Sequence, residues 1–253
     1  MNTPLTVVAS LVLALATPVA ARAQAAAVAA PASRPLVVLD AGHGGSNSGA
    51  TGTVAGLLEK QLTLAVARRV RDLLVADGVD VRLTRDRDAT LTLRQRAALA
   101  NQHAADVFVS IHANASPERV QRGYETYVLT AAGVDIDGRA LRSETGTPRH
   151  GVDAETALVL DDLERGAAQW EAADLAGAIQ RELRGVRGAA GDRGVRQDAH
   201  HVLLGATMPA VLVEIGFIDH PIEGRELAVP ATQDAIAGAL ARAIVAACPT
   251  SRR

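Results

Sequence analysis

The sequence predicts an α/β fold: a single domain with a mainly parallel six-stranded sheet and helices on both faces. Two features of the chain predict this fold. Short apolar runs, typical of strands buried on both faces, alternate with longer segments of helical periodicity. The stretch from residue 36 to residue 248 also has the length of one domain. Strands that alternate with helices in this way favour parallel pairing through crossover connections.

The predicted strands are apolar runs bounded by turn residues or by polar side chains. They cover residues 36–40, 79–83, 107–111, 124–129, 202–204 and 210–214. The first run leads into a glycine-rich stretch from Gly42 to Gly52, which predicts a loop directly after a buried strand.

The predicted helices are segments in which apolar residues recur at steps of three or four. They cover residues 58–76, 92–102, 158–183 and 231–247. Thr92 and Gln95 have the spacing of a capping box, which predicts where the second helix begins. Trp170 is expected to pack within the third helix. The apolar stripe of that helix consists of Leu163, Ala167, Leu175, Ile179 and Leu183.

The composition is that of an ordinary globular protein, with 48% hydrophobic and 21% charged residues. The chain carries 26 basic and 28 acidic side chains, a net charge of −2, so no basic surface points to a nucleic-acid partner. Cys248 is the only cysteine, so the sequence allows neither an intrachain disulfide nor a cysteine-based metal site. Any metal ligands must come from His, Asp and Glu.

The N-terminal segment has the pattern of a secretory signal. The apolar run at residues 5–20 precedes Ala21-Arg22-Ala23, which has the small-x-small form of a cleavage site. We expect a signal peptide at 1–23, an Ala/Pro linker at 24–35 and the catalytic domain at 36–248. An uncleaved membrane anchor is the alternative, but the run is short for a span, and we expect no stable membrane span after cleavage.

Four polar residues are predicted to gather at the carboxyl edge of the sheet, where open α/β sheets bind ligands. His43 follows the first strand, His112 the third and Glu214 ends the last, while Glu59 lies in the first turn of the first helix. Two His and one Glu are a familiar ligand set for catalytic zinc, with a fourth position for water. His43, Glu59 and His112 are therefore the predicted Zn²⁺ ligands, and Glu214 is left as the catalytic general base and acid.

Each of these residues alone also has an ordinary structural interpretation. A His after a strand is often a hydrogen-bonded loop residue, and a Glu in the first turn of a helix is favoured there by the helix dipole. The glycine-rich loop could also suggest a phosphate-binding site. However, Asn47 stands where the third glycine of a G-x-G-x-x-G motif is needed, and the ending of a P-loop is absent.

A family resemblance decides among these interpretations. Seven ordered motifs resemble those of zinc-dependent N-acetylmuramoyl-L-alanine amidases, like the bacterial cell-division amidases, over nearly all of residues 36–247. The motifs are Val38 to Gly45 (VLDAGHGG), Leu58-Glu59-Lys60, Leu83-Thr84-Arg85, Phe108 to Ala115 (FVSIHANA), Gly123 to Tyr127 (GYETY), Arg193-Gly194-Val195 and Pro209 to Phe217 (PAVLVEIGF). By this resemblance His43, Glu59 and His112 would bind zinc, and Glu214 would be the catalytic carboxylate.

The resemblance implies hydrolysis of the amide that joins the lactyl group of N-acetylmuramic acid to L-alanine of the peptidoglycan stem peptide. Peptidoglycan is then the expected substrate, and the expected localisation is periplasmic or secreted. The histidine ligands would need hydrogen-bond acceptors on their second nitrogens, and Asp40 is a candidate by its proximity in sequence.

Residues 130–159 are an insertion that a minimal amidase of this type lacks. In the cell-division amidases a comparable insertion is inhibitory until an activator displaces it, so an activator protein is a candidate partner. Glu144, His150, Asp153 and Glu155 are candidate blocking ligands. A solvated surface loop is the alternative interpretation.

Two other function classes stay open. One is an inactive peptidoglycan-binding or regulatory protein of the same fold, which would need a broken ligand set. The other is a zinc hydrolase of another cell-wall substrate, although no H-E-x-x-H motif is present. Residues 85–88 (RDRD) are expected to form a self-neutralising turn, and His200 and His201 are expected on the surface.

Overall fold

The computed structural model describes residues 34–130 and 154–248. The expected signal peptide, nearly all of the linker and most of the insertion therefore lie outside the described residues. No helix in the described part is long and apolar enough to cross a membrane.

The fold is an α/β domain built on a six-stranded sheet, as the sequence predicts. Its strands lie in the order β2-β1-β3-β6-β4-β5, and every neighbouring pair is parallel except β4 with β6. The strands are β1 (Leu36–Ala41), β2 (Asp80–Leu83), β3 (Val107–Asn114), β4 (Tyr124–Leu129), β5 (Asp192–Asp198) and β6 (Ala210–Phe217).

Five α-helices accompany the sheet in the part of the chain that the structure describes. They are α1 (Glu59–Ala76), α2 (Leu93–Gln102), α3 (Ala154–Arg187), the short α4 (Glu223–Leu227) and α5 (Pro230–Ala247). The capping box that opens α2 is formed as predicted, because Thr92 Oγ1 accepts from Gln95 N at 3.2 Å and Gln95 Oε1 accepts from Thr92 N at 2.9 Å. Helix α3 begins at Ala154, inside the segment expected to be an insertion.

The core has one layer on each face of the sheet because alternate strand residues point to opposite sides. In β1, Val37 and Leu39 pack with α1, α3 and α5, whereas Leu36 and Val38 pack with α2 and the segment 202–208. The predicted helices on both faces are therefore confirmed. Burial on both sides also explains why the central strands are continuous apolar runs.

Three local predictions are wrong. Residues 202–204 form a turn, although Val202 and Leu203 are buried, and the sixth strand is β5 instead. Trp170 is 78% exposed and does not pack in the core. Leu163 is also exposed, so the buried part of the α3 stripe among the described side chains is Leu175, Ile179 and Leu183.

Candidate metal centre

The carboxyl edge of the sheet brings the four predicted site residues together. His43 follows β1, His112 lies on β3, and Glu59 is the first residue of α1. Glu214 of β6 is the register partner of His112, and the pairing of these two strands shifts directly after them. Such irregularities are common beside active sites, where they redirect side chains.

Among the described residues, one group of His and carboxylate side chains could hold a metal ion. It consists of His43, Glu59 and His112, whose ligand atoms lie within 4.8 Å of one another. Glu59 lies between the two imidazoles, with Oε2 at 3.0 Å from His43 Nε2 and Oε1 at 2.9 Å from His112 Nδ1. The two rings meet edge to face with centroids 4.9 Å apart.

Glu59 is fixed by the backbone as well as by the two imidazoles. Its carboxylate oxygens accept from Ala50 N at 2.9 Å and from Ala113 N at 3.1 Å. Burial raises the pKa of Glu59, but hydrogen bonds from His112 and His43 outweigh it and hold the pKa well below its usual value. The side chain is therefore a buried, ionised carboxylate aimed at two imidazoles.

Asn47 sets the tautomer of His43. Asn47 Oδ1 accepts from Gly49 N at 3.0 Å and lies 3.0 Å from His43 Nδ1, so Nδ1 is the donor of the second bond. Nε2 is then the ring nitrogen that faces Glu59 Oε2, at 3.0 Å. It donates a hydrogen bond to this carboxylate when the ring is protonated, and in the neutral ring its lone pair is available to a metal ion.

The expectation that Asp40 orients a histidine ligand is wrong. Asp40 is fully buried, and its oxygens accept from Arg96 Nη1 at 2.6 Å, Thr84 Oγ1 at 2.6 Å and Ser110 Oγ at 2.7 Å. The Asp40 carboxylate thus pairs with the Arg96 guanidinium. The hydrogen-bond acceptor for the second ring nitrogen of His43 is Asn47, and not Asp40 as the sequence suggested.

Two buried arginines hold the loop that carries His43. Arg96 donates to the carbonyl oxygens of Ala41 at 2.9 Å and His43 at 2.8 Å. Arg85 donates to the carbonyl oxygens of Ala41 and Gly42, each at 2.8 Å. These bonds matter because His43 has a φ of 60°, a backbone conformation that is costly for a residue with a side chain.

Residues 85–88 are therefore not a self-neutralising turn. Arg85 binds the backbone of the His43 loop, whereas Asp88 accepts from Lys60 Nζ at 2.7 Å and from Gly45 N at 2.6 Å. The sequence does carry a signal for Arg96, which occupies one of the buried positions of α2 together with Ala97 and Ala100. A charge in the buried stripe of a helix requires a buried partner.

Replacing Arg96 by Met is expected to lower the free energy of unfolding by about 3–5 kcal/mol, because Asp40 would keep a buried charge without its partner. The measurement is urea unfolding of both proteins. Arg242→Met is the control, since Arg242 pairs with Glu182 on the surface, and its loss should cost about 1 kcal/mol or less. Equal losses for the two variants would contradict the role given to the Asp40–Arg96 pair.

Two positions beside the candidate ligands are glycine, and the absence of a Cβ there makes room for the ligand side chains. A Cβ at Gly42 would collide with the His112 ring, and a Cβ at Gly49 would lie 2.5 Å from Glu59 Oε2 and 2.7 Å from His43 Cδ2. Gly49 also has a φ of +65°. The backbone therefore approaches the three candidate ligands as closely as glycine permits.

Gly49→Ala is expected to weaken metal binding at this group at least about 10-fold, because the added methyl displaces two candidate ligands at once. Gly56→Ala is a matched control, since Gly56 has a φ of +80° but its Cβ would meet no atom within 4 Å. Zn²⁺ affinity is measured by competition with a chromogenic chelator. Similar affinities for the two variants would show that backbone strain alone, and not the contact with the ligands, matters at Gly49.

Glu214 stands beside this group with an unused oxygen. The side chain is half-buried, yet Oε2 is shielded from solvent and has no hydrogen-bond partner among the described residues. Burial raises the pKa of the Glu214 carboxyl well above its usual value, and the charges of Glu59 and Glu125 raise it further. A carboxyl group of raised pKa with an unpaired oxygen is typical of a general base or acid.

The other sequence predictions for the cleft have mixed outcomes. His200 is partly buried and contacts the Tyr127 ring edge to face, with centroids 4.4 Å apart, whereas His201 is exposed. Burial lowers the pKa of His200. The candidate blocking residues Glu144, His150 and Asp153 lie outside the described residues, as does the side chain of Glu155.

Comparisons with known proteins point to one family. The family described as N-acetylmuramoyl-L-alanine amidase matches residues 37–246. The N-acetylmuramoyl-L-alanine amidase AmiA of Escherichia coli (strain K12) is 34% identical over 218 residues, which are 83% of this chain and 75% of that protein.

Solved structures show the same fold. The catalytic domain of the amidase CwlV from Bacillus (Paenibacillus) polymyxa var. colistinus has a TM-score of 0.64 at 31% identity, over 84% of this chain and 97% of that domain. The CwlD amidase of Clostridioides difficile, solved in complex with the GerS lipoprotein, has a TM-score of 0.67 at 24% identity, over 85% and 98% of the two chains. At that identity the second likeness shows the fold alone.

Proposed function

The chain belongs to the N-acetylmuramoyl-L-alanine amidase family, whose members are hydrolases, and from that membership we propose the reaction and the residues that carry it. The substrate is peptidoglycan, and the bond cleaved joins the lactyl group of N-acetylmuramic acid to L-alanine of the stem peptide. The cofactor is Zn²⁺, with His43, Glu59 and His112 as its ligands. Glu214 is the general base and acid.

One observation carries this proposal: three side chains that together could bind a metal ion lie beside a carboxyl oxygen that has no hydrogen-bond partner among the described residues. The ligand atoms of two imidazoles and a carboxylate lie within 4.8 Å of one another, and His43 Nε2 and His112 Nδ1 both face the Glu59 carboxylate. Two nitrogen donors and one oxygen donor favour zinc over the hard cations that prefer oxygen ligands alone. Beside this group, Glu214 Oε2 is a shielded oxygen that has no hydrogen-bond partner among the described residues.

When bound, zinc would supply Lewis-acid polarisation of the scissile carbonyl and would lower the pKa of water toward neutrality. The chain supplies the remaining steps. Glu214 accepts a proton from the attacking water and then donates it to the leaving nitrogen of L-alanine, so that the amine departs neutral. The bonds of Arg85 and Arg96 to the His43 loop hold one ligand in place during both transfers.

Localisation and regulation form a second part of the proposal. We place the enzyme in the periplasm or outside the cell, supported by the signal pattern at 1–23 and by the location of peptidoglycan. An activator that displaces the 130–159 insertion remains a prediction from the family resemblance. It is testable by adding candidate partners to the purified protein and measuring whether basal hydrolysis increases.

The proposed reaction is tested by digesting purified peptidoglycan sacculi with the protein and identifying the soluble products by mass spectrometry. We expect free stem peptides that begin with L-alanine, beside uncut glycan strands, in the presence of Zn²⁺ and none after treatment with a chelator. Peptides cut at another bond, or deacetylated sugars, would favour a zinc hydrolase of different specificity. Binding to sacculi without any release would favour an inactive binding protein.

A further inference from the structure

Next to Glu214 lies a second cluster, which the sequence patterns did not reveal. Its centre is Glu125 of β4, a carboxylate that is 2% exposed. Oε2 of Glu125 accepts from Arg193 Nε at 2.9 Å and from Arg196 Nε at 2.6 Å. Oε1 accepts from Asn114 Nδ2 at 2.8 Å and from Tyr127 OH at 3.1 Å. All hydrogen-bonding capacity of this carboxylate is therefore used to hold neighbouring side chains.

The cluster carries one more positive than negative charge, since two arginines share one carboxylate. Both arginines donate to Glu125 through Nε, and among the described residues no hydrogen bond joins their terminal nitrogens to it. Arg193 uses Nη2 for Gln121 at 3.3 Å and lies over the Phe217 ring, 5.1 Å from its centroid. Within the described part of the chain the terminal nitrogens of Arg196 have no partner, and its side chain is 46% exposed. Arg196 is thus a fixed guanidinium with free donors, suited to a carboxylate.

The position of Arg196 relative to Glu214 indicates which part of the substrate would lie near the Arg196 guanidinium. Glu125 of β4 is the register partner of Glu214 of β6. Tyr127 lies two residues farther along β4 on the same face, and its register partner is Arg196 of β5. The sheet order places the candidate metal ligand His112 on one side of Glu214 and Arg196 on the other. Because Glu214 must reach the leaving nitrogen, the peptide that departs extends toward Arg196.

The distances agree with a carboxylate near the start of the stem peptide. Arg196 lies two strand spacings from Glu214 and is offset from it by two residues along the strands, roughly 12 Å in all between backbone positions, whereas two extended residues span about 7 Å; an arginine side chain can close the difference. The glycan side of the scissile bond has no carboxylate, because the lactyl carboxyl is itself in the amide. The second stem residue is a γ-linked D-glutamate, whose α-carboxyl is either free or amidated.

We propose that Arg196, held by Glu125 and assisted by Arg193, is a specificity-determining residue that binds the α-carboxylate of the second stem-peptide residue. This inference rests on the proposed amidase function. It assigns a preference for stem peptides with a free carboxylate over those with a carboxamide at this position. Glu125 is a positioning residue, since its carboxylate fixes both guanidinium groups and has no capacity left for substrate.

The test uses two synthetic muramyl tripeptides that differ only in the second residue, which carries an α-carboxylate in one and an α-carboxamide in the other. The wild-type protein is expected to hydrolyse the carboxylate form with a kcat/KM about 10- to 100-fold higher, the effect of one charge-assisted hydrogen bond. Arg196→Gln is expected to lose this preference by lowering kcat/KM for the carboxylate form only. Arg242→Gln, which removes an exposed arginine that pairs with Glu182, serves as the control and should keep the preference.

The outcomes separate the inference from the proposed function. If wild type hydrolyses both compounds at equal rates, the amidase proposal stands and the inference is wrong. If Arg196→Gln lowers kcat/KM for both compounds equally, Arg196 has a structural role and the inference is again wrong. If wild type hydrolyses neither compound and releases no stem peptide from sacculi, the proposed function fails and the inference fails with it.

Discussion

Glu214→Gln is expected to lower kcat for stem-peptide release by about 100- to 10,000-fold, the usual contribution of a general base and acid. An amide of the same size cannot take the proton of the attacking water or return it to the leaving amine. The metal ligands are not changed by this substitution, so zinc content should stay at the wild-type value. The measurement combines initial rates of release with metal analysis of the same samples.

Glu182→Gln is the control for this substitution, because Glu182 is an exposed carboxylate that pairs with Arg242 on the surface. It should leave the rate unchanged. If Glu214→Gln kept more than about a tenth of the wild-type rate, Glu214 would not be the proton-transfer group.

Replacing either of the two histidines that we propose as zinc ligands is expected to remove both bound zinc and activity. His112→Ala leaves Glu59 and His43 as the remaining ligands, and two ligands are too few for a catalytic zinc site, which uses three protein ligands. The rate should fall at least about 1,000-fold, since Lewis-acid stabilisation contributes several kcal/mol and each 1.4 kcal/mol is a factor of ten. Metal content per chain and the rate of peptide release should therefore fall together.

The control for this variant is His103→Ala, because His103 follows α2 as its C-terminal cap and is not among the candidate ligands. This protein should keep its zinc. Full activity in His112→Ala, or full activity of the wild type after a chelator has removed all metal, would be incompatible with the assigned ligand set.

Four site residues are predictable from the sequence because each stands at the boundary between an apolar run and a loop or helix: His43, Glu59, His112 and Glu214. In a parallel sheet such boundaries meet at one edge, so topology alone brings distant residues close together. The sequence contains no comparable signal for Asn47, which orients His43 through a loop conformation. Residue type alone suggested Asp40, but the partners of a buried carboxylate depend on the packing around it.

The apolar pattern of the sequence does not predict strand β5, because β5 (Asp192–Asp198) is an edge strand of mostly polar residues without an apolar run. Its partner β4 supplies the backbone hydrogen bonds, so its pattern is set by pairing and not by burial. Residues 202–204 show the opposite case, since Val202 and Leu203 are buried in a turn. The Glu125 cluster depends on β5, and for that reason it could not be predicted before the fold was known.

Hydrolysis of a muramyl peptide in water enriched in ¹⁸O locates both the bond that breaks and the atom that water attacks. For the proposed amidase reaction we expect one ¹⁸O in the lactyl carboxylate of the sugar fragment and none in the released peptide, whose amino terminus is L-alanine. Label in a carboxyl group of the peptide or in released acetate would contradict this assignment, because each marks hydrolysis of a different bond.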